Sequence, residues 1–377
     1  MKKDKLVGED LVTLQSQRGN VCVTVILPTH RLFSERKVDK FEMEKAIEET
    51  VSLMEYKLPE KEARNLRKKL NELEATIDYD HNLDGIGLFV SNDTAIKTRF
   101  PFQVTKKIVV GPDFEIRDLL YKTNISQPYY VLKLSENRVS LYSGTIDELN
   151  EIHGGDFPDD FYDDREYSTP GRGSSTQGNP QMRSFEHDKS AIETIRFKDF
   201  FRHADELLGK YMVQDVPIIL AGVEKDLAWY EEITSFRKHI AGRIQGNYEH
   251  TNHAEFARKC WAVMEAYIKE EVNRLITDFR EKVGTGRGVS GVQEIWTSVS
   301  EGKGMKLVVE KDFKLPGFTT AENEQFLTLR PTKTEHITMP DAIDEIIEMT
   351  LDKGGEVFFA DNGQLSEFGG MILITRY

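Results

Sequence analysis

Two cysteines in 377 residues are too few for a disulfide framework, and Cys22 and Cys260 form no metal-ligand spacing. They sit in an apparent strand and an apparent helix, where a buried free thiol is the plain reading. Long hydrophobic runs are also missing: none approaches the ~20 apolar residues that a membrane span needs. The opening residues MKKDKLVGEDLV carry charge but no apolar signal-peptide core, so a cytoplasmic protein without membrane contact is expected. No Gly-x-Ser-x-Gly elbow, paired-Cys site or His-Glu-x-x-His motif occurs, and neither a cofactor nor a bound metal is expected. Positive charge is scarce as well. Fifty Lys and Arg stand against 64 Asp and Glu, a net charge of −14 with pI ≈ 5.3. That balance excludes attraction to nucleic acid over the whole surface. A local basic patch stays open, because phosphate affinity depends on where the cations sit.

What is present describes a folded protein: 39% hydrophobic and 30% charged residues. A chain of 377 residues is expected to form two or three domains at ~150 residues each. Residues 21–27, VCVTVIL, are a β-branched run ended by Pro28 and read as a buried strand. A helix follows from about Val38 to Leu58, with Ile47, Val51, Met54 and Leu58 recurring at three and four. A second, after Pro59, carries Ala63, Leu66, Leu70, Leu73 and Ile77 on one stripe. Its other side shows Lys61, Arg64 and Lys68, with Arg67 and Lys69 beside them. Such a run is commonly a solvated face, here with Glu60, Glu62 and Glu72 as partners. The alternative is an RNA-facing patch.

DGIGLFV, AIKTRFPF and KKIVVG then read as short strands, and FEIRDLL as a short helix. YYVLKLS and RVSLYSGT make a hairpin, with TIDELNEI as a candidate third strand. Phe197, Phe201, Ala204, Leu208 and Tyr211 mark an amphipathic helix, and VPIILAG and EKDLAWYEEITSF a strand and a helix. A long helix from about Asn252 to Lys282 precedes GTGRGVSG, then helix, strand, helix, strand and strand to the end. The pattern predicts a mixed α/β fold in three domains, each a small mixed sheet packed with helices. They span residues 1–125, 126–248 and 249–377, the last a three-layer α/β/α sandwich.

Residues 154–189 stand apart. They hold almost no aliphatic side chains and are dense in Gly, Pro, Asp, Ser and Gln, so they read as one long loop. The acidic half (Asp156, Asp159, Asp160, Asp163, Asp164, Glu166) could chelate Mg²⁺, but carboxylates on a flexible loop more often form a solvated surface. The second half carries Arg172, Arg183, Gln177 and His187. GTGRGVSG follows a helix instead of a strand, so it reads as a helix cap and flexible turn before a phosphate cradle. His203, and His250 with His253, lack the further ligand or nucleophile that would make a site.

Three stretches in this order resemble the archaeal and eukaryotic class 1 peptide-chain release factors and their relative Pelota, including the bacterial members of that superfamily. VCVTVILPTH with two helices and GIGLFV is similar to the family's N-terminal domain. YYVLKLSENRVSLYSG with the loop, a helix and VPIILAG is similar to the middle domain, and MKLVVEKDF with DKGGEVFFADNGQLSEFGGMILITRY to the C-terminal one. The chain departs from the family at both functional motifs. Where release factors carry Gly-Gly-Gln, the loop offers Gly154-Gly155-Asp156, Gly171-Arg172-Gly173 and Gln177-Gly178. Where they carry Asn-Ile-Lys-Ser, this chain reads MEYKLPEKEAR.

The resemblance implies a ribosome-associated factor in termination, rescue or stress, without standard stop-codon reading. Ribosome and tRNA would be its partners. Lys61, Arg64, Arg67, Lys68, Arg172 and Arg183 would then touch RNA. A second expectation is a hydrolase of peptidyl-tRNA or RNA, with Gln177 or His187 orienting water. A third is a non-ribosomal interaction protein whose C-terminal domain binds a protein partner.

Overall fold

The computed structural model describes residues 11–17, 21–31, 35–161, 181–212, 215–248, 251–320, 323–331, 337–339 and 341–377, without the side chains of 181–193, 323–326 and 337. Two compact units make it up: Met1–Ser126 with Lys269–Tyr377, and Gln127–Ile268. The first and last stretches, read from sequence as separate α/β domains, share one unit.

That unit begins with an antiparallel sheet of order β3-β2-β1-β4, built from β1 (Cys22–Pro28), β2 (Gly85–Val90), β3 (Ala95–Phe100) and β4 (Lys107–Gly111). In β1, Val23 pairs with Val90 on one side and Val110 on the other. Helices α1 (Arg36–Lys57) and α2 (Glu60–Glu74) cover one face. Leu58 between them is extended at φ −121°, ψ 157°, as the residue before a proline must be. Val23, Val25 and Leu27 meet Met43, Met54, Leu66 and Leu70 of the two helices in one buried cluster. The alternate residues Cys22 and Ile26 enter a different cluster, with Trp296, Ile343 and Ile347 from the end of the chain. With both faces covered, β1 needs apolar residues throughout, which is why VCVTVIL shows no alternation. Its one hydroxyl, Thr24 Oγ1, accepts the Glu115 N–H at 3.1 Å. Helix α3 (Arg117–Ile125) closes this stretch.

The second unit holds β5 (Pro128–Leu134), β6 (Arg138–Thr145), β7 (Glu148–Glu151), β8 (Asp159–Asp160), α4 (Gln181–Gly209), β9 (Ile218–Gly222), α5 (Glu224–Ile233) and β10 (Ile240–Gln245). The strands run in the order β10-β9-β5-β6-β7, with β8 beside β6. β5, β9 and β10 are parallel, and β6, β7 and β8 antiparallel. Leu132 and Leu134 of β5 pack with Phe201, Leu208 and Leu227 of α4 and α5. Tyr129 and Val131 take the other face, against Phe256, Cys260 and Met264. These three belong to α6 (His253–Val283), which continues past Ile268 into the first unit.

The first unit resumes with β11 (Gly288–Ser290), α7 (Val292–Ser300), β12 (Gly304–Glu310), β13 (Gly317–Thr320), β14 (Asn323–Thr328), β15 (Ile337–Met339), α8 (Ala342–Asp352), β16 (Glu356–Ala360) and β17 (Met371–Thr375). The main sheet is ordered β11-β17-β12-β16, and Val308, Ile372 and Ile374 pack on Val272, Ile276 and Phe279 of α6. Leu307, Val309 and Leu373 face α7 and α8. Two features depart from the sequence reading. The end of GTGRGVSG is strand β11, pairing Gly288 with Ile374, rather than flexible turn. A small sheet, β14-β13-β15, occupies a stretch too polar and too interrupted to read as strands.

A buried guanidinium joins the two stretches of the first unit. Arg117 is 2% exposed, its Nη2 lies 2.7 Å from Asp341 Oδ2, and its Nε donates to Asp344 Oδ1 at 2.7 Å. Its Nη1 donates to the Phe313 carbonyl. Asp341 also caps α8, accepting the Ile343 N–H at 3.1 Å. Burial pushes the Asp344 carboxyl up, and Arg117 opposes that shift. Removing the cation strands two carboxylates. Arg117→Met is expected to cost the folded state about 3–5 kcal/mol in urea unfolding.

Candidate nucleic-acid interface

Helix α2 buries Ala63, Leu66 and Leu70 and turns its basic residues outward. Arg64 lies 2.5 Å from Glu60, Arg67 3.7 Å from Glu55 and Lys68 3.8 Å from Glu72. Lys69 instead donates to the Asn92 carbonyl. Glu55, Glu60, Ala63, Arg64 and Arg67 line a groove of about 510 Å³. The partners expected of a solvated face are therefore largely in place. Exposed pairs of this kind are each worth ~0–1 kcal/mol, so phosphates can displace the acids at little cost. Beside them on α1 stands Tyr56, 88% exposed. An exposed ring next to cations is a stacking surface for an unpaired base. Apolar periodicity, the signal that defines α1 in the sequence, does not register it.

The stretch 154–189 is more ordered at its margins than its composition suggests. Phe157 is buried in the core of the second unit, and the Phe161 ring lies 5.4 Å from Phe197 and 5.3 Å from Phe200. A count of aliphatic residues overlooks these aromatic anchors. The acidic residues are tied down singly. Asp156 lies 2.5 Å from Lys210, Asp159 3.0 Å from His203 and Asp160 2.6 Å from Arg138. From Gln181 the chain is helical, as α4. Asn179-Pro180 just before it is a helix-start signal present in the sequence. Arg183 and His187 fall within α4, but their side chains lie outside the described residues, as do Arg172 and Gln177 altogether. His253 Nε2 lies 2.7 Å from the Leu149 carbonyl oxygen, and His250 is outside the described residues.

A further arrangement sits at the end of β1. The buried carboxylate of Asp39 accepts the His30 backbone N–H at 2.9 Å and lies 2.7 Å from His30 Nδ1. It also accepts Asn82 Nδ2 at 3.2 Å. The imidazole is 44% exposed, and the carboxylate fixes its tautomer so that Nε2 remains to meet a ligand. The hydrogen bond to Asp39 raises the His30 pKa. Stability from this pair is fully present below the unfolded-state pKa of ~6.5 and is lost as pH rises through the folded value. A histidine nine residues before a helix-starting aspartate is no recognised motif, so the sequence alone does not single it out. By contrast, burial pushes the thiols of Cys22 and Cys260 up to about 12, as inert core residues require. The His30 titration midpoint, followed by NMR, should lie above ~6.5 and fall by about a unit in Asp39→Asn.

Among the described residues no helix is long and apolar enough to cross a membrane. Residues 128–303 match the family described as bacterial archaeo-eukaryotic release factor family 3. No curated protein matches the chain. Among solved structures, the archaeal translation termination factor aRF1 aligns over 99% of this chain and 98% of its own, at 13% identity and TM-score 0.25. Archaeoglobus fulgidus Pelota covers 78% of this chain and 79% of its own, at 12% identity and TM-score 0.36. Dom34 of S. cerevisiae, a translation termination-like factor involved in RNA quality control pathways, does so over 78% and 79% at 10% identity and TM-score 0.38. The chain is release-factor- and Pelota-like, as its element order indicated.

Proposed function

We propose that this release-factor-like chain works on the ribosome, in termination or rescue, without the standard reading of stop codons. The observation that carries the proposal is the pairing of the family match over residues 128–303 with the exposed basic face of α2. The family match supports a role in translation. The α2 face supports an RNA contact, because Arg64 and Lys68 are 77% and 76% exposed and only loosely held by their acids. Lys61 and Arg67 extend the same stripe, and Tyr56 offers a base-stacking surface beside it. In this reading the stretch containing Arg172 and Arg183 reaches toward the acceptor end of tRNA. Family release factors use Gly-Gly-Gln for ester hydrolysis, and this chain has no such tripeptide. Binding and rescue therefore suit it better than catalysis.

Net charge of −14 makes the contact local, so it should be strongly salt-dependent. Co-sedimentation with ribosomes across a salt series tests this. Charge reversal at Arg64, Arg67 and Lys68 is expected to weaken binding by roughly tenfold or more and to reduce the salt slope by about one for each phosphate no longer neutralised. Unchanged binding by the triple variant would remove α2 from the interface. No binding by the unaltered protein at low salt would remove the ribosome itself.

A further inference from the structure

The second unit contains a cleft that plays no part in the reading above. It has a volume of about 660 Å³ and opens where β5, β9 and β10 end, bounded by the Leu134–Arg138 turn, Gly222-Val223 and Gly246-Asn247-Tyr248. These three strands are parallel, so all three carboxyl ends meet there. On one side of β5 the chain leaves by a hairpin to β6, and on the other it reaches β9 through α4. The crevice outside the carboxyl ends of such strands, where the connections diverge, is the usual ligand site of an open α/β sheet. Glycine keeps it open. A Cβ at Gly222 would stand 2.8 Å from the Leu134 carbonyl oxygen, and Gly246 has φ +152°.

Asp226, in the first turn of α5, lines this cleft. The residue is 1% exposed, and its Oδ1 is buried with no hydrogen-bond partner among the described residues. Asp205 of the same unit shows what a structural aspartate looks like. Its carboxylate accepts Tyr230 Oη at 2.6 Å, Thr234 Oγ1 at 2.6 Å, and both the backbone N–H and Oγ of Ser235 at 2.9 and 2.7 Å. An unpaired buried carboxylate is costly, and a protein retains one where a ligand supplies the missing donors. Burial and the nearby Glu136 raise the Asp226 pKa to about 6, which measures that cost.

The lining selects among donors. Among the described residues no three His, Cys, Asp or Glu side chains are grouped to hold a metal ion. Lys133 and Arg138 line the cleft, and Lys225 lies 2.8 Å from its Glu136, so a cationic ligand would meet three cations. A phosphate-bearing ligand would gain from them. Tyr248 adds an aromatic wall. A planar base that carries adjacent N–H donors on one edge and a phosphate on its sugar meets all these demands. We infer that this cleft binds a guanine nucleotide, with Asp226 accepting the N1–H and exocyclic amino group of the base.

The base can come from a free nucleotide or from an unpaired guanosine in RNA. Isothermal titration of the full-length protein with GMP, IMP, AMP and a short oligoribonucleotide with one unpaired guanine separates the cases. GMP is expected to bind at least tenfold more tightly than IMP, which lacks the amino donor, and a hundredfold more tightly than AMP. Asp226→Asn should lose at least tenfold in GMP affinity while its thermal midpoint holds or rises, since the unpaired charge is gone. Tighter binding of GMP than of the oligonucleotide assigns a free nucleotide, and the reverse an RNA base; both sustain the inference. It is overturned if GMP and AMP bind alike, if none binds at millimolar concentration, or if Asp226→Asn binds GMP unchanged. Binding of arginine amide in place of GMP would assign the cleft to a cationic peptide and overturn it equally.

Discussion

Arg117 is the residue on which the first unit depends. A guanidinium buried to this degree survives only with its charge and donors satisfied, and here Asp341, Asp344 and the Phe313 carbonyl do so. All three partners come from the far end of the chain, so the ion cluster fixes how its first and last stretches meet. That meeting covers the second face of the β1 sheet, with Trp296, Ile343 and Ile347 completing a core begun by Cys22 and Ile26. The cluster also commits the N-terminal helices. With one sheet face taken by the C-terminal stretch, α1 and α2 pack on the other, and the basic side of α2 is left to solvent.

Buried carboxylates tell structural from functional positions in this protein. Asp39 and Asp205 each accept several hydrogen bonds, the first from His30 and Asn82, the second from Tyr230, Thr234 and Ser235. The neighbours of these two residues account for their burial. Asp226 is as deeply buried as either, and no described partner accounts for its Oδ1. Asp39 differs in one respect, because it holds an exposed imidazole. That makes it a positioning group for whatever His30 meets.

The order of elements is legible in the sequence because periodicity reports burial directly. VCVTVIL has to be a strand covered on both faces, and the stripe through Leu66 and Leu70 has to be a helix with a polar side. The sharing of one unit by the two ends is not legible, since Arg117 and its aspartate partners lie more than two hundred residues apart and show no local pattern. The Asp226 cleft is hidden for the same reason: its lining comes from three strand ends, each ordinary alone. At residues 154–189 the aromatic anchors Phe157 and Phe161 and the helix signal Asn179-Pro180 are visible, but the polar composition around them masks their weight. The basic stripe is legible in full, and so are its acidic partners. What sequence cannot weigh is how loosely those partners hold it.

That weakness carries the functional account, so the direct test is to ask what α2 touches. A photo-reactive side chain placed at Lys61 or Arg64 and irradiated on purified ribosomes reports the neighbour itself. The account predicts cross-links to ribosomal RNA that fade as salt is raised. Ribosome-bound protein that cross-links only to polypeptide, or not at all, from both positions would contradict it.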